Sequence, residues 1–284
     1  MRARAGRRRR SRLPPRRPLT DTVGRAAAGL VAAAAIAAAA RRARSLAPSG
    51  ALAAVAVGTA SVAAGWDWGA LLVAFFVASS ALSRYGAALK EARTADVVAK
   101  GGERDAAQVL ANGGLFALAA LLSLLFPSPL WTAAGAGTLA AATADTWATE
   151  IGTLAGRPPR SILDGRLVPP GTSGGVTPPG ILASVAGSFF MAVLTLPLGW
   201  GTPVAAAALV AGVAGSTVDS LIGATLQARR WCDRCEKGTE RDVHVCGEPT
   251  RLAGGAAWLG NDAVNALCAL TGAVGAAVLR SALP

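Results

Sequence analysis

The chain has 284 residues, 52% of them apolar and only 15% charged, and its 28 Lys and Arg against 16 Asp and Glu give a formal net charge of +12. That composition excludes a disordered chain, which needs low hydrophobicity, and an ordinary soluble domain, which spreads its charges along the sequence. Here the charges fall in a few stretches separated by apolar segments of bilayer length, so the expected fold is an all-α, polytopic transmembrane helix bundle with cytoplasmic loops.

In chain order, residues 1–25 carry Arg7 to Arg10, Arg12, Arg16 and Arg17 and read as a basic, disordered tail attracted to anionic lipid, with nucleic acid an unlikely partner. The integral membrane domain is expected over 26–284. Its candidate spans are Ala26–Ala40, Leu52–Gly65, Ala70–Leu82, Val109–Phe126, Leu130–Ala144, Ile181–Leu198, Pro203–Gly223 and Ala253–Val278. Several are shorter than the roughly 20 residues a perpendicular helix needs, and they are rich in Ala and Gly, which suits closely packed, tilted or partly buried helices. The first apolar segment runs into Arg41-Arg42-Ala43-Arg44 rather than a small-residue cleavage site, so a removed signal peptide is not expected.

Basic residues set the expected orientation. Stretches 84–104 (Arg84, Lys90, Arg93, Lys100, Arg104), 148–180 (Arg157, Arg160, Arg166) and 224–251 (Arg229, Arg230, Arg234, Lys237, Arg241, Arg251) hold nearly all the positive charge after residue 44. The hairpins between them, Trp66–Gly69, Pro127–Pro129 and Gly199–Thr202, contain no Lys or Arg. This is the positive-inside pattern, and it puts the three long loops in the cytoplasm. The tail conflicts with it: if Arg41, Arg42 and Arg44 are cytoplasmic, a crossing first helix exports the arginine-rich tail.

Four helix ends carry polar stripes. Arg104, Gln108 and Asn112 share one face; Asp145, Ala148, Thr149 and Gly152 form a second; Asp219, Gly223 and Gln227 a third; Asn261 with Asn265 a fourth, next to Asp262. Interhelical hydrogen bonding would account for one stripe. Four at one end of the bundle argue for a shared polar cavity. The stretch Ala144–Gly180 adds most, because Asp145 and Glu150 end one apolar segment and the run Gly171-Thr172-Ser173-Gly174-Gly175 precedes the next. Carboxylates beside hydrocarbon need a cation, a proton path or a substrate, and the glycine-run amides suit an anion, so the pair suggests a phosphate site with a metal ion.

The segments SLAPSGALAAVAVG (45–58), FFVASSALSRYG (75–86), GGERDAAQVLANGG (101–114), ADTWATEIG (144–152), PPGTSGGVT (169–177), VDSLIGATLQ (218–227) and GNDAVNAL (260–267) resemble the successive signatures of an integral membrane family long labelled a domain of unknown function. That family includes the plant phytyl-phosphate kinases of vitamin E synthesis. The resemblance implies phosphoryl transfer from a nucleoside triphosphate, CTP for the plant enzymes, to an isoprenoid monophosphate in the membrane. Asp145-x-x-Ala148-x-x-x-Gly152 is also similar to the nucleotide-binding signature of CTP-dependent polyprenol kinases such as dolichol kinase. The chain has no G-x-x-x-x-G-K-[ST] and no protein-kinase signature set.

Phosphoryl transfer needs charge neutralisation and in-line positioning. Asp145, Asp219 and Asp262 are candidates to hold Mg²⁺, and Glu150 to complete a ligand set or position the attacking oxygen. Lys100, Arg104, Arg160 and Arg166 are candidates to neutralise phosphates, with Asn112, Ala148, Gly152, Asn261 and the Gly171, Thr172, Ser173, Gly174, Gly175 loop around the nucleotide. Two other classes stay open: a CTP-dependent lipid cytidylyltransferase, and a transporter using the same acids as an ion or lipid-phosphate path. Polar groups at one side of the membrane favour an interfacial enzyme over a transporter.

Cys232, Cys235, His244 and Cys246 bring three thiols and the chain's one histidine within fifteen residues, in a loop (230–251) too polar to own a core. The set suits a structural Cys₃His zinc site; free thiols or a redox pair are the alternatives. Cys268 reads as a packing residue in the last helix.

Overall fold

A computed structural model describes residues 19–99 and 101–283, with the side chains of residues 19 and 20 outside the description. The basic tail through Pro18, and Lys100, therefore lie outside the described residues. Among the described residues the chain forms α1 (Leu19–Arg42), α2 (Pro48–Ala64), α3 (Trp66–Arg84), α4 (Ala87–Thr94), α5 (Ala106–Leu125) and α6 (Pro129–Leu154). A two-residue hairpin follows, β1 (Arg160–Ser161) with β2 (Gly175–Val176), then α7 (Pro178–Leu194) and α8 (Thr202–Thr225). A small ribbon, β3 (Arg229–Cys232), β4 (Lys237–Thr239) and β5 (Arg251–Gly254), precedes α9 (Asn261–Ala282). The ribbon is antiparallel throughout, with β3 in the centre. The architecture is the expected helical membrane bundle, with five helices long and apolar enough to cross: Asp21–Arg42, α3, α5, α8 and α9.

Several boundaries differ from the sequence reading. The expected tail limit at residue 25 falls inside α1, because Ala- and Leu-rich sequence begins only after a turn that polar residues can also make. Arg25 donates to Ala63 O at 3.2 Å, so the start of α1 lies beside the end of α2. Arg41, at the other end, donates to Leu46 O at 2.7 Å and pairs with Glu103. The helix thus runs antiparallel along the full length of α2. α6 continues ten residues past Ala144, since Thr146–Leu154 is amphipathic rather than a stop, and Asp145 and Glu150 sit within it. The last helix starts at Asn261 and not at Ala253, which belongs to β5. The short helix α4 falls in what reads as loop.

Helix α6 is the hub, packing on α5, α7, α8 and α9 and touching α3 and α4. Every residue from Ala133 to Ala144 is buried. The sequence there is Ala, Gly, Thr and one Leu, and the small side chains let neighbours approach to backbone distance. A Cβ placed on Gly137 would lie 2.1 Å from Gly272 O of α9, and one on Gly272 would lie 2.2 Å from Gly137 O. Gly215 of α8 and Gly187 of α7 approach α6 in the same way. Larger residues collect at the end away from the long loops, where Trp68 packs on Phe116 and Trp200, and Trp200 Nε1 donates to Asp67 at 2.7 Å.

Because the obstacle at Gly137 is backbone, Gly137→Ala should separate α6 from α9 and destabilise the bundle by about 2 kcal/mol, the scale of overpacking a close-packed core. Gly24→Ala, in open space on α1, should be neutral or slightly stabilising. Thermal melts of the two variants in detergent should separate clearly.

Candidate active site

The polar residues of four helix ends come together at the rim of the bundle from which the long loops emerge. They line a cavity of about 1740 Å³, whose walls include Asn112 (α5), Asp145 and Glu150 (α6), Asp219 (α8), Asp262 and Asn265 (α9). Asn261, Ala148, Gly152, Arg104 and residues Gly171, Thr172, Ser173, Gly174 and Gly175 line it as well. Helices of alternating direction put these positions at one level: α6 and α8 contribute last turns, α5 and α9 first turns.

The mouth of α5 is built by a capping box. Asp105 accepts from Gln108 N at 3.0 Å while Gln108 Oε1 accepts from Asp105 N at 3.1 Å. Asn112 then donates to Gln108 O at 2.9 Å. Arg104 is held by Ser80 Oγ at 3.1 Å and Ser83 Oγ at 3.0 Å, both on α3. Burial lowers the Arg104 pKa from its ordinary value and Glu150 opposes the shift, which leaves a fixed cation in the wall.

Glu150 is already paired. Lys90, from α4, is 8% exposed and donates to Glu150, to Leu82 O at 2.9 Å and to Ser83 O at 2.8 Å. A carboxylate neutralised this way has less to offer a metal than its position in the sequence suggests. Arg93, on the same short helix, caps α6 by donating to Thr153 O at 2.7 Å and Leu154 O at 3.0 Å. Lys90 is the main site residue that sequence reasoning missed. Its signal is weak: one basic residue in an eight-residue amphipathic stretch.

Asp145, Asp219 and Asp262 share the cavity without forming a compact ligand set. Among the described residues, the one group of three or more His, Cys, Asp or Glu with ligand atoms all within 4.8 Å of one another is Cys232, Cys235, His244 and Cys246. Asp219 Oδ2 is buried and accepts no hydrogen bond, an expensive arrangement unless a cation or donor arrives.

Gly152 and Gly180 let α6 and α7 approach closely. A Cβ on Gly180 of α7 would meet Ala148 O at 2.9 Å, and one on Gly152 would meet Thr177 Oγ1 at 3.0 Å. Glycine at these two positions therefore lets the first turn of α7 close on α6 near Asp145. The glycine run forms two turns, with Thr172 N donating to Pro169 O at 3.2 Å and Gly175 N to Thr172 O at 2.9 Å. Those two amides are committed to the loop's own turns, and Gly174 N lies against Gly223 of α8. Gly174, at φ +77°, lies against α8, where a Cβ would come within 2.4 Å of Ala224 Cβ. Arg160 and Arg166 are turned outward: Arg160 donates to Gly165 O at 2.8 Å, and exposed Arg166 pairs with Asp164 at 3.0 Å. Neither lines the cavity.

The ribbon supplies one more wall through Arg230, Glu240, Arg241 and Asp242. Ser173 donates to Glu240, whose pKa is raised by burial and lowered in part by that bond. Lys237 pairs with Asp96 at 2.7 Å, and this bond holds the Asp96 carboxyl below its ordinary range.

Residues 31–273 match the family described as Integral membrane protein DUF92. The chain belongs to that family. This DUF92 chain is 33% identical to Protein PGR of Arabidopsis thaliana over 216 residues, 66% of this chain and 74% of the relative. It is 32% identical to Uncharacterized membrane protein MJ0933 of Methanocaldococcus jannaschii over 166 residues, covering 58% and 67%. Protein VTE6, chloroplastic, of Arabidopsis thaliana is 28% identical over 242 residues, 83% of this chain and 65% of that protein. No solved structure matches significantly. Family and helices together make the chain a multi-pass membrane protein.

The Lys90–Glu150 pair is mostly buried, with side chains 10% and 19% exposed. Removing one partner strands the other, so Lys90→Met should cost about 3 kcal/mol, whereas Lys90→Met with Glu150→Leu should recover most of it. A double-mutant cycle on detergent melting temperatures measures the difference.

Proposed function

We propose that this chain is a nucleoside-triphosphate-dependent prenyl-phosphate kinase, similar to phytyl-phosphate kinase, with CTP as donor and an isoprenoid monophosphate as acceptor. The observation that carries the reading is the single cavity in which carboxylates of three helices face a fixed arginine and the glycine run. Its position at the rim supports it too, since a prenyl tail lies in the bilayer while its phosphate stays at the interface. The positive-inside pattern supports a cytoplasmic rim, where nucleotide is available.

In the proposed reaction a non-bridging oxygen of the acceptor phosphate attacks the γ-phosphorus of CTP. The new O–P bond forms as the bond to the β–γ bridging oxygen breaks, and CDP leaves with that electron pair. The acceptor is already an anion, so no strong general base is required. Asp145, Asp219 and Asp262 hold Mg²⁺, and the unpartnered Asp219 Oδ2 fits that role. When bound, Mg²⁺ supplies neutralisation of the phosphate charge. Phosphate oxygens and water, which this cation prefers as ligands, would have to complete a set that the three carboxylates do not close by themselves. Arg104, fixed by Ser80 and Ser83, faces the transferred group, and the Lys90–Glu150 pair keeps that wall from carrying a net negative charge.

Labelled nucleoside triphosphates, Mg²⁺ and a panel of prenyl monophosphates, incubated with purified protein, test this directly. Prenyl diphosphate with an equal amount of nucleoside diphosphate is the expected result; pyrophosphate with a CMP-lipid would select the cytidylyltransferase instead. Asp145→Asn and Asp219→Asn should each lower kcat by about 10²-fold or more, the scale of losing a preorganised charge. Their melting temperatures should not fall, because a neutral amide is easier to bury than a carboxylate.

A further inference from the structure

The ribbon that walls the cavity has almost no interior of its own. Its most buried side chains are Cys232 at 0%, His244 at 3% and Thr239 at 4% exposure, while most of its neighbours face outward. A segment of this size cannot be ordered by hydrophobic burial and needs a cross-link. The thiols are not bonded to one another: Cys232 Sγ and Cys246 Sγ stand 3.7 Å apart. They converge, however, with the sulfur of Cys235 and His244 Nδ1, which is 3.3 Å from Cys246 Sγ. For a tetrahedral zinc with Zn–S bonds of about 2.3 Å, neighbouring sulfurs sit about 3.8 Å apart.

Backbone geometry aims the four donors. Cys232 ends β3 and Cys235 lies in the β3–β4 turn, which Glu236 closes at φ +52°. The second pair lies in a turn where Gly247 N donates to His244 O at 2.9 Å and Gly247 holds φ +86°. Two short turns facing each other with paired donors form a pocket for one soft-ligand cation, and three thiolates with one imidazole suit zinc.

We propose that Cys232, Cys235, His244 and Cys246 bind one structural zinc ion, and that this ion fixes the cavity wall formed by the ribbon. All four donors come from protein, so the ion has no open position for chemistry. Its effect passes along the backbone. From the zinc turn, β4 leads into Glu240, whose N–H donates to Val97 O at 2.9 Å and whose carboxyl accepts from Ser173 of the glycine run. Lys237 binds Asp96 beside it, and Arg230 holds Asp242 at 2.5 Å. The ion therefore ties together the segment after α4, the glycine run and the edge of the cavity. This inference stands on the ligand geometry and is independent of the kinase reading.

Metal analysis of the full chain, purified in detergent without a metal-affinity step, should find one zinc per protein. Cys235→Ser and His244→Ala should each reduce it at least tenfold. Replacement by Co²⁺ should give tetrahedral d–d absorption and thiolate charge-transfer bands, both lost in Cys235→Ser. Absence of stoichiometric metal, or iron in its place, would overturn the zinc assignment. Chelation should speed amide exchange at least tenfold in 229–254 and at Glu240, with α5 to α9 unchanged. Zinc bound with Glu240 exchange unaffected by its removal would overturn the coupling to the wall. Variants that fail to fold leave the chelation and cobalt measurements on the unmodified protein to decide.

Discussion

Gly137 and Gly272 let the backbones of α6 and α9 touch, and the positions of the other helices follow from that crossing. In a bilayer, apolar surface alone does not drive helices together, because lipid tails are as apolar as the side chains they replace. Van der Waals contact between close backbones does, and α6 offers it on several sides through Ala, Gly and Thr. Leu or Phe at those places would push the neighbours outward. The last turns of α6 and α8 and the first turns of α5 and α9 would then no longer enclose one volume.

The same economy of side-chain volume explains where the charges can be. Near Asp145, Gly152 and Gly180 bring α7 close to α6, and the cavity is what remains on the side where the helices diverge. Charges around it are satisfied locally. Lys90 has two carbonyls and Glu150, Arg93 has the end of α6, and Arg104 has two serines. All three cations also line the cavity, so its wall combines fixed positive charge with Asp219, whose Oδ2 is buried without a hydrogen bond.

Much of this was legible in the sequence. Hydrophobic length located every long helix, and four-residue spacing grouped Arg104, Gln108 and Asn112, and Asp219 with Gln227, which line the cavity, while Gly223 between the last two packs on Ser173 and Gly174 instead. What could not be read depends on partners distant in the chain. Glu150 looks available until Lys90, sixty residues earlier, is folded against it. Arg160 and Arg166 looked like phosphate ligands because sequence shows that a loop is basic, not which way its side chains turn. Ala148 and Gly152 read as a nucleotide signature, and only the fold shows that Gly152 also makes room for Thr177 of α7. Sequence bounds also failed where polarity and helix formation diverge, as at Thr146–Leu154.

The composition of α6 bears on how the chain enters the membrane. At 26 residues it is the longest described helix, yet it is not among those apolar enough to cross by composition. Its threonines, glycines and two carboxylates make it a poor substrate for insertion as an isolated segment. The three-residue connection from α5 to α6, Phe126 to Ser128, is too short to let the two helices be handled separately. The hub therefore stands as the second arm of a hairpin with α5, and α7, α8 and α9 cover the rest of its surface. Contacts from the carboxyl-terminal half thus shield the polar middle of the protein from lipid.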